Sequence, residues 1–102
     1  YLMKAEAMLR AGGDATTMVN DLRTLRGATP LGSVSEADLL AERGRELYIE
    51  FWRRNDMLRF GQFTRDWEFK NPESVGDETR NLYPIPINAL LSNPNLEQNP
   101  GY

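Results

Sequence analysis

From Tyr1 to about Leu58 apolar side chains recur at helical spacing; beyond that point the rhythm fades. Leu2, Ala5 and Leu9 fall on one face with Met8 beside them, which predicts a helix from Tyr1 to about Ala11. Gly12-Gly13 would close it, because glycine readily takes the left-handed conformation that a helix C-terminus often needs. Asp14 then offers an N-cap for a second helix, which carries Met18, Leu22 and Leu25 at i, i+4 and i+7 and stops at Gly27. Two amphipathic helices joined by so short a turn are expected to form an antiparallel hairpin. Met18, Leu22 and Leu25 would face Leu2, Ala5 and Leu9 across it.

Residues 28–34 contain Pro30 and Gly32 and read as a loop. Ser35 followed by Asp38 resembles a capping signal, with aspartate in place of the usual Glu or Gln. A long helix is expected from there, with Leu40, Gly44, Leu47 and Phe51 on one face and the pattern continuing to Leu58. A break is conceivable near Trp52–Asn55, and Trp52 itself is expected in the core. Gly44 inside this helix costs about 1 kcal/mol against alanine, so close packing against a neighbouring backbone is its expected reason.

The stretch from Gly61 to Leu82 is expected to be irregular, with Pro72, Gly76 and scattered charges. Tyr83-Pro84-Ile85-Pro86 must be extended, because each proline restricts the residue before it. Asn88 is read as the cap of a single helical turn through Leu91, and the Asn- and Pro-rich remainder, with Asn93, Asn95 and Asn99, as turns. The fold class is therefore all-α: a tetratricopeptide-like helix hairpin plus a long helix, followed by an irregular C-terminal tail.

Composition narrows the chemistry. At 102 residues the chain suits one small domain or part of a larger one, and a chain of that size buries roughly 60–65% of its unfolded surface. Hydrophobic content of 40% and charged content of 26% are ordinary for a globular chain. A net charge of −3 gives no basic footprint, which argues against nucleic acid as a partner. No apolar run approaches the ~20 residues a membrane helix needs. With neither cysteine nor histidine, disulfides, thiol nucleophiles and a nitrogen- or sulfur-ligated zinc site are excluded, and the commonest general base is missing. No cofactor is implied. The chain also begins in helical sequence with no cap, initiator methionine or signal peptide, so it reads as a piece of a longer protein.

One charged block stands out. Glu42–Arg45, Glu50–Arg53, Glu50–Arg54 and Asp56–Arg59 are spaced i, i+3 or i+4 and can pair on a helix surface, with Arg43, Glu46 and Arg53 close to the apolar face. Such pairs are either a solvated face contributing about 0.2–0.5 kcal/mol each or a partly buried network that fixes how the helix docks. A catalytic carboxylate pair is disfavoured, because carboxylates beside several arginines have lowered pKa values and make weak general acids. Trp67 and Phe69 fall in the irregular stretch and are expected at the surface, where an aromatic face can stack on a sugar or simply pack under a loop. Trp67 is the candidate ligand contact.

Four segments together resemble the C-terminal part of the SusD/RagB family. Ala5-Glu6-Ala7 with Leu9-Arg10-Ala11-Gly12 is similar to its "AEA-x-L-R-A-G" helix, and Val19-Asn20-Asp21-Leu22-Arg23 to its "VN-x-[IL]-R" helix. Leu40-Ala41-Glu42-Arg43-Gly44-Arg45-Glu46-Leu47 with Glu50, Arg53-Arg54, Asp56 and Leu58-Arg59-Phe60-Gly61 resembles its "ER-x-REL-x-x-E-x-x-R-x-x-D-L-x-R-x-G" block. The fourth is Leu82-Tyr83-Pro84-Ile85-Pro86 with Asn93-Pro94-Asn95-Leu96 and Gln98-Asn99-Pro100-Gly101-Tyr102. Asn55-Asp56-Met57 departs from the pattern, since the family often has an aromatic before the aspartate and a leucine after it.

The resemblance makes residues 1–102 the C-terminal part of a SusD/RagB-like domain, with Tyr102 at the family's usual end. It implies a mostly helical, tetratricopeptide-like surface protein from Bacteroidetes, held on the extracellular face of the outer membrane by a lipid anchor that precedes Tyr1. Such a protein caps a SusC-like TonB-dependent β-barrel transporter and captures oligosaccharides, or peptides, for import without a chemical step. It also favours the network reading of Glu42, Arg43, Arg45, Glu46, Glu50, Arg53, Arg54, Asp56 and Arg59, and it places most of the glycan platform upstream. Two rivals stay open: a tetratricopeptide-like scaffold binding protein segments, and a glycoside hydrolase, which needs two carboxylates held across a cleft. The Tyr83–Pro86 and Gln98–Tyr102 motifs have no place in ordinary tetratricopeptide repeats.

Overall fold

The computed structural model describes residues 1–102 and contains helices and turns with no strand. The elements are α1 (Leu2–Arg10), α2 (Thr16–Leu25), α3 (Glu36–Glu46), α4 (Arg53–Arg59), two 3₁₀ turns (Pro72–Ser74 and Glu78–Asn81) and α5 (Ile87–Ser92). They fall into two compact units, Tyr1–Phe60 and Gly61–Tyr102. No helix is long and apolar enough to cross a membrane.

In the first unit α1 packs against α2 and α3, and α3 against α4. Gly12 and Gly27, both at positive φ, end α1 and α2. The amides of Gly12 and Gly13 return to the carbonyls of Leu9 and Met8, and those of Gly27 and Ala28 to Thr24 and Arg23. This doubly bonded reversal satisfies carbonyls that a helix end otherwise leaves open. Asp14 accepts from the Thr16 amide at 2.8 Å, although Ala15 holds the cap position itself. Ser35 and Asp38 form the reciprocal capping box at the start of α3.

The core consists of Leu2, Ala5, Ala15, Val19, Val34 and Leu39, with Met8, Leu9, Met18, Leu22, Leu31 and Phe60 packed around it. The hairpin is present, and Met18 and Leu22 pack against the core as expected, but the inner face is centred on Val19 and does not extend to Leu25. Val19 is fully buried, whereas Leu25 is 76% exposed. Asn20 explains how the following loop closes over α2: its amide donates to the Leu31 carbonyl and accepts from the Leu31 amide, each at 2.8 Å. Val34, tied to the Thr16 hydroxyl through its amide, then enters the core.

The expected long helix is two helices. Residues 47–52 form a turn in which Ile49 and Phe51 take positive φ, and Phe51 is exposed. Periodicity overran the break because Leu47 and Phe51 keep the spacing of a face that α3 does not continue. A straight helix would set Arg43 and Asp56 about 20 Å apart; the reversal brings them into contact. Trp52, expected in the core, is half exposed beside this turn.

The second unit is built from turns and side-chain clamps. The amide of Ile85 donates to Gln98 Oε1 at 2.7 Å, and Gln98 Nε2 donates to the Ile85 carbonyl at 3.0 Å. Asn99 donates to the Tyr83 carbonyl at 2.6 Å and the Tyr102 hydroxyl to that of Leu82 at 3.0 Å. The tail motif thus pairs by side chains with the extended Leu82–Pro86 segment, whose prolines have no amide to offer. Asn93 does shape its turn, accepting from the Asn95 amide, but Asn99 is a clamp. Asn88 does not cap α5: Pro86 occupies that position and no side chain caps it.

Candidate functional site

Helices α1, α3 and α4 carry a chain of ion pairs. Arg43 on α3 grips Asp56 on α4 with two bonds of 2.8 Å, and the two side chains are only 5% and 1% exposed. Asp56 also accepts from Arg59 at 3.0 Å. Arg59 reaches across to Glu6 on α1, which in turn receives Arg10 at 2.9 Å. The Arg10 and Arg59 guanidiniums both lie over the Phe60 ring, at 4.9 and 5.8 Å from its centre. A second set joins α2 to α3: Glu42 accepts from Arg23 at 2.7 Å and from Arg45 at 2.5 Å, and Glu46 receives both arms of Arg26.

The electrostatics follow from this geometry. Burial would raise the carboxyl of Glu6, but hydrogen bonds from Arg59 and then Arg10 outweigh it and hold the group below the usual carboxylate range. Glu42 behaves alike, with Arg45 and Arg23 overcoming its burial. Glu46 is held low by its hydrogen bond from Arg26. Glu6 Oε2 is buried without a hydrogen-bond partner.

Of the block singled out in the sequence, the structure brings Glu42, Arg43, Arg45, Glu46, Asp56 and Arg59 into these pairs. Arg53 instead donates to the Leu40 carbonyl at 2.8 Å. Glu50 lies exposed in the 47–52 turn, off any helix, and Arg54 is half-buried on α4. Four partners came from outside the block: Glu6, Arg10, Arg23 and Arg26. Only the i, i+4 spacing of Glu6 and Arg10 signalled any of them locally.

An open cleft of about 580 Å³ borders this network, with Tyr1, Leu2, Met3, Leu47 and Trp52 among its walls and Glu6, Arg10 and Arg59 facing it. No group of three or more His, Cys, Asp or Glu side chains is placed to hold a metal ion.

Trp67 lies in the second unit. Lys70 Nζ sits 4.1 Å from the centre of its ring, and Phe63 packs tilted at 6.5 Å between centroids. The same ammonium donates to the Arg65 carbonyl at 2.7 Å. Trp67 remains 41% exposed and Phe69 96%.

The family model described as the SusD family matches residues 1–102. The chain is similar to the starch-binding protein SusD of Bacteroides thetaiotaomicron, 41% identical over 109 aligned residues. That match covers 100% of this chain and 20% of the relative, so the chain spans about a fifth of the length of the curated protein it matches.

Proposed function

The chain belongs to the SusD family, and on that footing we propose that it serves a glycan-binding protein of the outer-membrane surface. The observation that carries this reading is the match over every residue of the chain, at 41% identity, to a protein whose name states that it binds starch. In this proposal the complete protein holds an oligosaccharide, or a peptide, and passes it to a SusC-like TonB-dependent transporter. A lipid anchor would keep it on the extracellular face. Within this segment, Trp67 is the residue we assign to the ligand.

Binding without chemistry is part of the proposal. A general acid works best with a pKa near the operating pH. Glu6, Glu42 and Glu46 are held in the opposite direction by arginines, and Asp56 is enclosed by Arg43 and Arg59. These carboxylates fix helices to one another.

The test is to purify the complete polypeptide that carries these residues from outer membranes and incubate it overnight with glycans. It should co-purify with a large β-barrel and return the glycan unaltered. Hydrolysis products that disappear in Glu46→Gln or Glu50→Gln variants of unchanged melting temperature would establish a hydrolase instead.

A further inference from the structure

The extended segment Leu82–Pro86 of the second unit has the makings of an aggregation site. No charged residue lies between Arg80 and Glu97, and Leu82, Tyr83 and Ile87 are 52%, 68% and 66% exposed. An uncharged, apolar, exposed and extended stretch of backbone is a template on which another chain can pair. Proteins blunt such edges with charges, prolines or a covering segment. Charges are absent here, so the other two devices must act.

Alternate residues of an extended chain present their N–H and C=O groups to opposite edges. Pro84 and Pro86 therefore fall on one edge, where neither has an amide to donate. Tyr83 and Ile85 fall on the other, and Ile85 there could exchange both bonds of a ladder with a neighbouring strand. The tail fills that edge. Gln98 Oε1 accepts from the Ile85 amide at 2.7 Å, Gln98 Nε2 donates to the Ile85 carbonyl at 3.0 Å, and Asn99 donates to the Tyr83 carbonyl at 2.6 Å. A side-chain amide carries the acceptor and the donor of a peptide group, so Gln98 makes the two bonds that a strand residue would make. It is held there by its own neighbours. Gln98 Oε1 also accepts from the Asn99 amide at 2.9 Å. Gly101, at φ +89° with Thr79 filling the space of a side chain, turns the chain so that the Tyr102 hydroxyl reaches the Leu82 carbonyl.

We propose that Gln98 and Asn99 are a built-in edge plug, which occupies the one pairing-competent edge of Leu82–Pro86 and bars a second copy of the chain from adding there. Prolines and plug divide the work between the two edges. The prolines act by composition and cannot be undone, whereas the plug depends on the tail staying in place.

Sedimentation of the complete polypeptide over a wide range of concentration tests this, with wild type, Gln98→Leu, Ile85→Pro and the double variant. Leucine is close to glutamine in volume but has neither its donor nor its acceptor. Gln98→Leu should form dimers and larger species that the wild type lacks. Ile85→Pro removes the amide that a second copy would pair with, so the double variant should return to the wild-type distribution. Hydrogen exchange at the Ile85 amide, followed in dilute protein, should be about tenfold faster in Gln98→Leu, as loss of one hydrogen bond allows. Exchange that is accelerated without any new association would overturn the proposal, because the edge would then be open and unused. Association that persists in the double variant would overturn it by placing the contact elsewhere, and unchanged exchange at Ile85 would show that no plug is there.

Discussion

The Arg53 guanidinium lies over Gly44, where a Cβ would come within 2.7 Å of its Nη1, and donates to the carbonyl of Leu40 at 2.8 Å. A side chain from α4 thereby rests on the one residue of α3 that has none. Gly44 clears space for an arginine rather than for a neighbouring backbone.

Ordinarily a glycine-to-alanine change in a helix interior stabilises by up to about 1 kcal/mol. Here the new methyl group should displace Arg53 and break its bond to Leu40, so Gly44→Ala should give no gain. In an Arg53→Met background the same change should stabilise by roughly 0.5–1 kcal/mol. Thermal melts of the four proteins in this cycle check the coupling, and equal effects in both backgrounds would show that the two residues do not meet.

Arg43 and Asp56 form the most buried pair, so removing one partner strands a charge. Asp56→Ala should destabilise by about 3–5 kcal/mol, enough to leave little folded protein. Replacing both, as Arg43→Met with Asp56→Leu, should recover most of that loss, because an apolar pair of similar volume avoids the desolvation cost. Urea unfolding of the three proteins compares them.

Burial within the opening hairpin should follow Val19 and not Leu25. Val19→Ala should cost about 2 kcal/mol, as deletion of a fully buried side chain does, whereas Leu25→Ala should stay within about 0.5 kcal/mol. A melting temperature that drops more for Leu25→Ala would reverse the assigned face.

These residues also show how far the sequence could be read. Helix ends were legible where the signal is local: Gly12, Gly27 and the Ser35–Asp38 box act within a turn of the chain. The phase of α2 was legible in part: Met18 and Leu22 do reach the core, but Val19, one position from Met18, is its centre and Leu25 falls outside it. The break after α3 was read a few residues late, near Trp52–Asn55 instead of at 47–52, for a different reason: no glycine or proline marks it, and contacts between the two helices hold α4 back against α3. The charged block was visible through its i, i+3 and i+4 spacings. The link from Glu6 to Arg59 was not, since the two lie 53 positions apart.

Acid should loosen the first unit. Glu6, Glu42 and Glu46 have folded pKa values below their ordinary 4.5, so they release their protons more readily folded than unfolded. Their contribution is fully present above about pH 4.5 and is lost as pH falls through the lowered folded values. The melting temperature should be nearly flat from pH 7 to about pH 5 and fall below it, with a shallower fall in a Glu6→Gln variant. A melting temperature that rises on acidification would contradict the pairing.

Calorimetry of the complete polypeptide against a panel of glycans tests the central claim most directly. Saturable, exothermic binding of at least one oligosaccharide, with the sugar recovered unchanged afterwards, is the expected result. A flat titration across α- and β-linked glycans, or a continuing heat signal with shortened products in the cell, would contradict it.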